Sequence, residues 1–396
     1  MNLKKLLFQY NPWWEKELNF INAYKRDSIL NQFKNEMDKN NIVLITGLRR
    51  IGKTTLMKLF IKHLIQETKI SPELIFYVSL DDYLLDKYSI IEIIEMYRKI
   101  HGLERNKKIF VFLDEISYKE KYTIQLKNLY DKENIKIFAS SSSASVLNDT
   151  SALLTGREKI IKISPFFYNE YLGLKGIKIK ESDGYLNEHY FEKYLLTGGF
   201  PEYILTNDIS YINSLVDDIL KKDIVLKRGL RDFELIKDFF LLLVNHSCGI
   251  LSIYKIANTL KISTETAQRY FNYFLEVFLI NRLRRCGKLN KRINSPSKIY
   301  MEDIGIRQVF SEGTRIGKQF ENYAYLMIKS HNLCYIYENS IEIDFLIDKN
   351  YLVEIKYNDE LKKNQKELFK KTNANKKMII KNLEDLIKLK KALKDI

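Results

Sequence analysis

Two glycines with four residues between them, followed at once by lysine and threonine, make a cradle for phosphate oxygens. The segment is Gly47-Leu48-Arg49-Arg50-Ile51-Gly52-Lys53-Thr54, continued by Thr55. The glycines let the backbone wrap close to an anion with its N–H groups pointing inward. A helix opening at Lys53 adds its positive end. Lys53 would reach the β- and γ-phosphates, and the Thr54 hydroxyl would bind magnesium. A second element, Ile109-Phe110-Val111-Phe112-Leu113-Asp114-Glu115, is an apolar strand ending in two acids. Asp114 is expected to serve the magnesium and Glu115 to polarise the attacking water as general base. After the next strand come Ala139-Ser140-Ser141-Ser142, where the Ser140 hydroxyl could meet the γ-phosphate or the lytic water. Ser141 is the other candidate, and a serine-rich loop after a strand is also common without function. Arg157, after Thr155-Gly156, is a candidate arginine finger or sensor, or else a surface arginine after a turn.

A second set of acids lies near the C-terminus. Glu321 falls near a helix start, Glu342 and Asp344 in one strand, and Glu354 and Lys356 in the next. Side chains alternate along a strand, so Glu342 shares a face with Asp344, and Glu354 with Lys356. A hairpin can bring Asp344, Glu354 and Lys356 to one edge. Two carboxylates can hold magnesium and activate water, and a lysine can orient that water. The pattern resembles the Asp…Glu-x-Lys site of restriction-endonuclease-like folds, with Glu321 as the helical acid. An exposed hairpin with cross-strand charge pairing would give the same pattern.

Between these sets lies a candidate helix-turn-helix. Residues Leu251 to Leu260 form a short amphipathic helix, Lys261-Ile262 turn, and Ser263 caps a second helix, Thr264 to Phe274. Gln268 and Arg269 face outward with Asn272, and such side chains can read base edges. The stretch 282–298 carries Arg282, Arg284, Arg285, Lys288, Lys291, Arg292 and Lys298 and would contact phosphates. Glu265 on the same helix suits phosphates poorly, and such modules also pack against protein.

The elements that position these residues alternate in the first third of the chain. Apolar strands are expected at 41–45, 74–80, 108–113, 135–139 and 160–163, with helices at 53–66, 88–100 and 119–132. Repeated β-α units with apolar strands indicate a parallel sheet covered on both faces. One βα unit separates the cradle strand from the strand of Asp114, which suggests the additional-strand type of P-loop fold. From Tyr185 the pattern turns helical, and from Gly317 it is mixed again. Trp13 and Trp14 fit an anchor under the sheet better than a base-stacking pair.

The 396 residues suggest two or three domains. Lys and Arg outnumber Asp and Glu by 65 to 50, a surplus of +15 that fits a polyanionic partner or simply a soluble surface. Cys248, Cys286 and Cys334 lie far apart with no paired spacing, so neither a zinc site nor a disulfide is expected, and a reducing cytoplasmic setting is the default. The basic-apolar start runs into Asn11-Pro12 too soon for a signal segment, and the run 239–244 is far short of a membrane span.

The cradle, Asn11-Pro12-Trp13-Trp14, Leu154-Thr155-Gly156-Arg157, the segment Pro165 to Tyr171 and Gly198-Gly199-Phe200-Pro201 together resemble AAA-type P-loop ATPases of bacteria and archaea. Members of that family carry a winged helix and a C-terminal restriction-endonuclease-like domain of unknown function. The likeness covers nearly the whole chain. It departs at Ala139-Ser140-Ser141, where the family usually has Thr-Gly-Ser. The resemblance implies an α/β fold with an ATPase core at 1–184, a helical lid at 185–245, a winged helix at 246–300 and the nuclease-like domain at 301–396. It implies ATP hydrolysis with magnesium coupled to DNA binding or processing. The alternative is a nucleotide-controlled switch with slow turnover and a non-cutting C-terminal recognition module. Rings of identical copies, with Arg157 supplied by a neighbour, are the assembly that such cores often adopt.

Overall fold

In a computed structural model, the described residues are 2–15, 23–146, 154, 156–313 and 315–394; Thr155 of the expected arginine turn lies outside them. They form two units, Met1–Ser164 and Pro165–Ile396. The division falls before the expected boundary at 184. Its reason is aromatic packing: Tyr168 meets Phe191 at 5.2 Å between ring centres, and Phe191 meets Tyr323 at 5.4 Å.

The first unit is built on β1 (Ile42–Thr46), β2 (Ile75–Ser79), β3 (Ile109–Asp114), β4 (Ile135–Ser141) and β5 (Glu158–Lys162). All pairings are parallel, in the order β2-β3-β4-β1-β5. Thus β4 lies between the cradle strand and the acid strand, as an additional-strand arrangement requires. Every residue of β1 and β3 is buried, which is why these runs show no polar alternation. Helices α1 (Leu3–Tyr10), α2 (Asp27–Glu36), α3 (Lys53–Gln66), α4 (Ile90–His101) and α5 (Tyr122–Lys132) accompany the sheet. The edge strand β2 is covered by the N-terminal segment. Asn11 exchanges two hydrogen bonds with Tyr77, and the Trp13 and Trp14 indoles both donate to the Ile75 carbonyl at 3.1 Å. These bonds satisfy the strand's free side, which would otherwise invite another chain.

The second unit opens with α6 (Tyr168–Leu174), α7 (Gly184–Thr197), α8 (Pro201–Thr206), α9 (Ile209–Asp218), a π-helical stretch and α10 (Phe233–Asn245). Next come β6 (Gly249–Leu251), α11 (Ile253–Thr259), α12 (Thr264–Glu276), β7 (Ile280–Leu283), α13 (Leu289–Asn294) and β8 (Ser297–Met301). Their antiparallel sheet has the order β6-β8-β7. Then follow α14 (Ile304–Phe310), α15 (Ile316–Ile328), β9 (Leu333–Glu338), β10 (Ile341–Ile347), β11 (Tyr351–Ile355), α16 (Lys363–Lys371), β12 (Lys376–Ile380) and α17 (Leu383–Lys394). Their sheet has the order β12-β11-β10-β9, with only β11 and β12 parallel. The Gly198-Gly199 turn is required by close approach, since a Cβ on Gly198 would lie 2.4 Å from the Gly305 nitrogen.

One expectation about the cysteines is overturned. Cys286 and Cys334 form a disulfide, with sulfurs 2.10 Å apart. The residue after β7 runs beside β9: Arg285 bridges to Tyr335, and the Cys286 N–H donates to the Tyr335 carbonyl at 2.8 Å. A tertiary neighbour across 48 residues leaves no mark in local spacing.

Candidate functional site

Because the strands are parallel, the C-terminal ends of β1, β3 and β4 lie along one sheet edge, and each supplies part of the site. Gly47 has φ 151°, and a Cβ there would come 2.3 Å from the Ile163 carbonyl oxygen. Only glycine fits that approach. Arg50 and Gly52 also adopt positive φ, and Leu48 and Ile51 are buried beneath the loop. Lys53 is buried, and its ammonium donates to the Gly47 and Leu48 carbonyls at 3.0 Å each. It lies 3.9 Å from Glu115 Oε1. Arg49 approaches the Tyr118 hydroxyl at 3.5 Å.

Asp114 is 2% exposed and accepts three hydroxyls. Thr54 Oγ1 donates to Oδ2 at 2.5 Å, the Tyr77 hydroxyl donates to the same oxygen at 2.9 Å, and Ser140 donates to Oδ1. A hydroxyl and a carboxylate in contact beside the cradle are the hard oxygen pair that suits magnesium. Glu115 adopts left-handed backbone, φ 54°, and its N–H donates to Ser140 Oγ at 3.0 Å. Its carboxylate accepts from the Ser142 N–H at 3.2 Å and the Ser142 hydroxyl at 2.9 Å. The serines thus divide their tasks: Ser140 holds Asp114, Ser142 holds Glu115, and Ser141 turns back to Ser143. Tyr77 and Ser142 do not stand out in the sequence. The apolar run of β2 hides a tyrosine that faces its neighbour strand, and three successive serines look alike until the turn is known.

Arg157 is not brought to this edge. It precedes β5, and its carbonyl accepts from the N–H of Ile42, the first residue of β1. The cradle follows the last residue of β1, roughly 15 Å away at about 3.3 Å per residue. Arg157 pairs with Asp131 at 3.4 Å instead. Its position offers no contact with a nucleotide bound by the same unit.

The C-terminal acids do converge, but around an ammonium. Lys298 of β8 is buried and contacts Glu321 at 2.7 Å, Asp344 at 2.7 Å and Glu342. Burial opposes its charge, yet Asp344 and Glu321 hold its pKa well above the ordinary lysine range. Asp344 Oδ2 accepts the Ile355 N–H at 2.9 Å, and Glu354 Oε2 accepts the Asp344 N–H at 3.0 Å. Lys356 pairs with Glu354 at 3.0 Å. Burial, reinforced by Asp344, pushes the carboxyls of Glu321 and Glu354 up. Among the described residues, no three His, Cys, Asp or Glu side chains are arranged to hold a metal ion.

The outward residues of α12 include Gln268, Arg269 and Asn272, all exposed, over a buried face of Ala267, Tyr270, Phe271 and Phe274. A groove runs between α12 and the segment before β8, lined by Gln268, Arg282, Asn294 and Ser295. Arg284, Lys288, Lys291 and Arg292 are exposed. Arg285 is not: its guanidinium bonds the Tyr337 carbonyl and lies over the Tyr337 ring. Lys298, expected among the phosphate contacts, is corrected by its burial to an internal ion-pair residue.

Comparison with known proteins agrees with the first unit. Residues 39–172 match the AAA domain family, and residues 188–315 match a domain of unknown function (DUF8612). The chain therefore carries an AAA-type ATPase domain. It is 27% identical to an uncharacterized protein of Methanocaldococcus jannaschii, over 92% of this chain and 84% of that one. A second protein of that organism is 29% identical, over 87% and 81%. Among solved structures, the Walker-type ATPase PABY2304 of Pyrococcus abyssi is similar with TM-score 0.45 and 16% identity, covering 74% of this chain and 99% of that one. The Aeropyrum pernix ORC1 protein, solved in complex with DNA, gives TM-score 0.36 at 11% identity, over 73% and 92%. No described helix is long and apolar enough to cross a membrane.

Proposed function

We propose that the first unit hydrolyses ATP with magnesium and that the second engages DNA, so that nucleotide turnover governs that engagement. The observation that carries the reading is the convergence of Lys53, Thr54, Asp114 and Glu115 at one sheet edge. Lys53 would neutralise phosphate charge on leaving its two loop carbonyls. Thr54 and Asp114 would hold magnesium, which supplies charge neutralisation at the phosphates. Glu115, steadied by Ser142, would take the proton of the attacking water.

The DNA reading rests on α12 and the segment after it. The order α10, β6, α11, α12, β7, α13, β8 supports a winged-helix reading, with Gln268 and Arg269 for base edges and Arg284, Lys291 and Arg292 for phosphates. Arg282 lines the groove between them. The succession α15, β9, β10, β11, α16, β12 supports a restriction-endonuclease-like reading of the C-terminal domain. The lysine among its acids favours a recognition module over a cutting one.

The DNA reading is tested by fluorescence anisotropy on labelled duplex across a salt series. Lys291→Ala with Arg292→Ala should flatten the slope of log affinity against log salt by about one for each cation removed from a phosphate. Equal slopes for both proteins would remove this segment from the interface.

A further inference from the structure

The acids of the C-terminal domain are those that the nuclease-like reading assigns to a metal, yet each has at least one oxygen committed elsewhere. Lys298 lies on β8, the middle strand of the three-stranded sheet, and is 1% exposed. Its Nζ meets one oxygen from each of Glu321 on α15 and Glu342 and Asp344 on β10. An ammonium has three N–H donors, and three carboxylates accept here. The other Asp344 oxygen takes a backbone N–H, and the Glu354 oxygens meet the Asp344 N–H and Lys356. The Tyr300 hydroxyl adds a bond to Glu321 at 3.0 Å. Magnesium or manganese would need these same oxygens and would sit against a positive charge.

We propose that the Lys298 ammonium is the resident cation of this carboxylate set and excludes divalent metal from it. The C-terminal domain is then a non-cutting module, and its acids clasp β8 to β10 and α15. This rests on the nuclease-like reading of that domain and is independent of ATP hydrolysis and DNA binding.

The test is manganese binding to the full chain, followed by calorimetry and electron paramagnetic resonance without nucleotide. All proteins carry Asp114→Asn, which removes the cation site beside the cradle. Further substitution of Asp344→Asn should leave manganese binding unchanged, because Lys298 already occupies that carboxylate. Lys298→Met should gain one manganese ion bound at least ten-fold more tightly than any site in its parent, and adding Asp344→Asn should abolish the gain. A manganese ion in the Lys298-containing parent that Asp344→Asn removes would overturn the proposal while leaving a nuclease reading open. So would a folded Lys298→Met protein, with the parent's circular dichroism, that gains no ion. The comparison of Asp344→Asn with its parent decides the matter even if Lys298→Met does not fold.

Discussion

Glu115, the proposed base, combines two geometric features that suit that role. Its backbone is held in a left-handed conformation that a non-glycine residue adopts at a cost of roughly 1–3 kcal/mol, offset by the Ser140 bond to its N–H. Its carboxylate is fixed by Ser142 and faces the Lys53 ammonium. Glu115→Gln keeps the shape and removes the basicity. Turnover should fall by about 10²- to 10⁴-fold while ATP binding, followed by a fluorescent analogue, stays within a few-fold of the parent. A variant that hydrolyses at the parent's rate would place the base elsewhere. At this scale the sequence is informative where chemistry demands a fixed spacing. Gly47, Gly52, Lys53, Thr54, Asp114 and Glu115 are all legible, because a phosphate cradle tolerates little variation. The roles of Tyr77, Ser142 and Lys298 are not, because each acts through a partner on a distant strand.

At the scale of elements, the buried Asp303 carboxylate links two segments of the second unit. It caps α14 through the Gly305 and Ile306 N–H groups and accepts the Gly199 N–H at 2.7 Å. Burial outweighs these donors and pushes its carboxyl up to about 6. A carboxyl raised in the folded chain binds its proton more tightly there than in the unfolded chain. Stability should therefore fall as pH rises from about 4 through 6, by roughly 3 kcal/mol at about 1.4 kcal/mol per unit. In Asp303→Asn that component of the pH slope should vanish, although the Gly199 N–H loses an acceptor. Urea unfolding of both proteins at pH 4, 5, 6 and 7 measures it, and parallel curves would contradict it. The elements themselves are legible where periodicity is strong: α3 spans the expected 53–66, and the five parallel strands fall within a few residues of expectation. The short β6, and β9 with its Cys334, are not. Three residues of strand give no alternation to detect, and β9 is recognisable only once β10 lies beside it.

At the scale of the whole molecule, one unit carries a nucleotide site and the other a basic, helix-presenting surface. Net charge of +15 would supply long-range attraction to the proposed DNA partner, and the exposed Arg284, Lys288, Lys291 and Arg292 place part of that charge beside α12. If ATP and DNA favour the same state of the chain, each must strengthen the binding of the other by an equal factor. The passage from β-α alternation to a helical pattern is visible in the sequence. The boundary at 164 is not, because the aromatic residues that tie Tyr168 to Phe191 and Tyr323 carry no linker signature between them. The decisive experiment is steady-state ATP hydrolysis with and without duplex and single-stranded DNA, with Lys53→Ala as the blank for contaminating activity. A DNA-coupled ATPase gives a magnesium-dependent rate that rises several-fold with DNA and is lost in Lys53→Ala. A rate that is indifferent to DNA, or that survives in Lys53→Ala, would contradict that coupling.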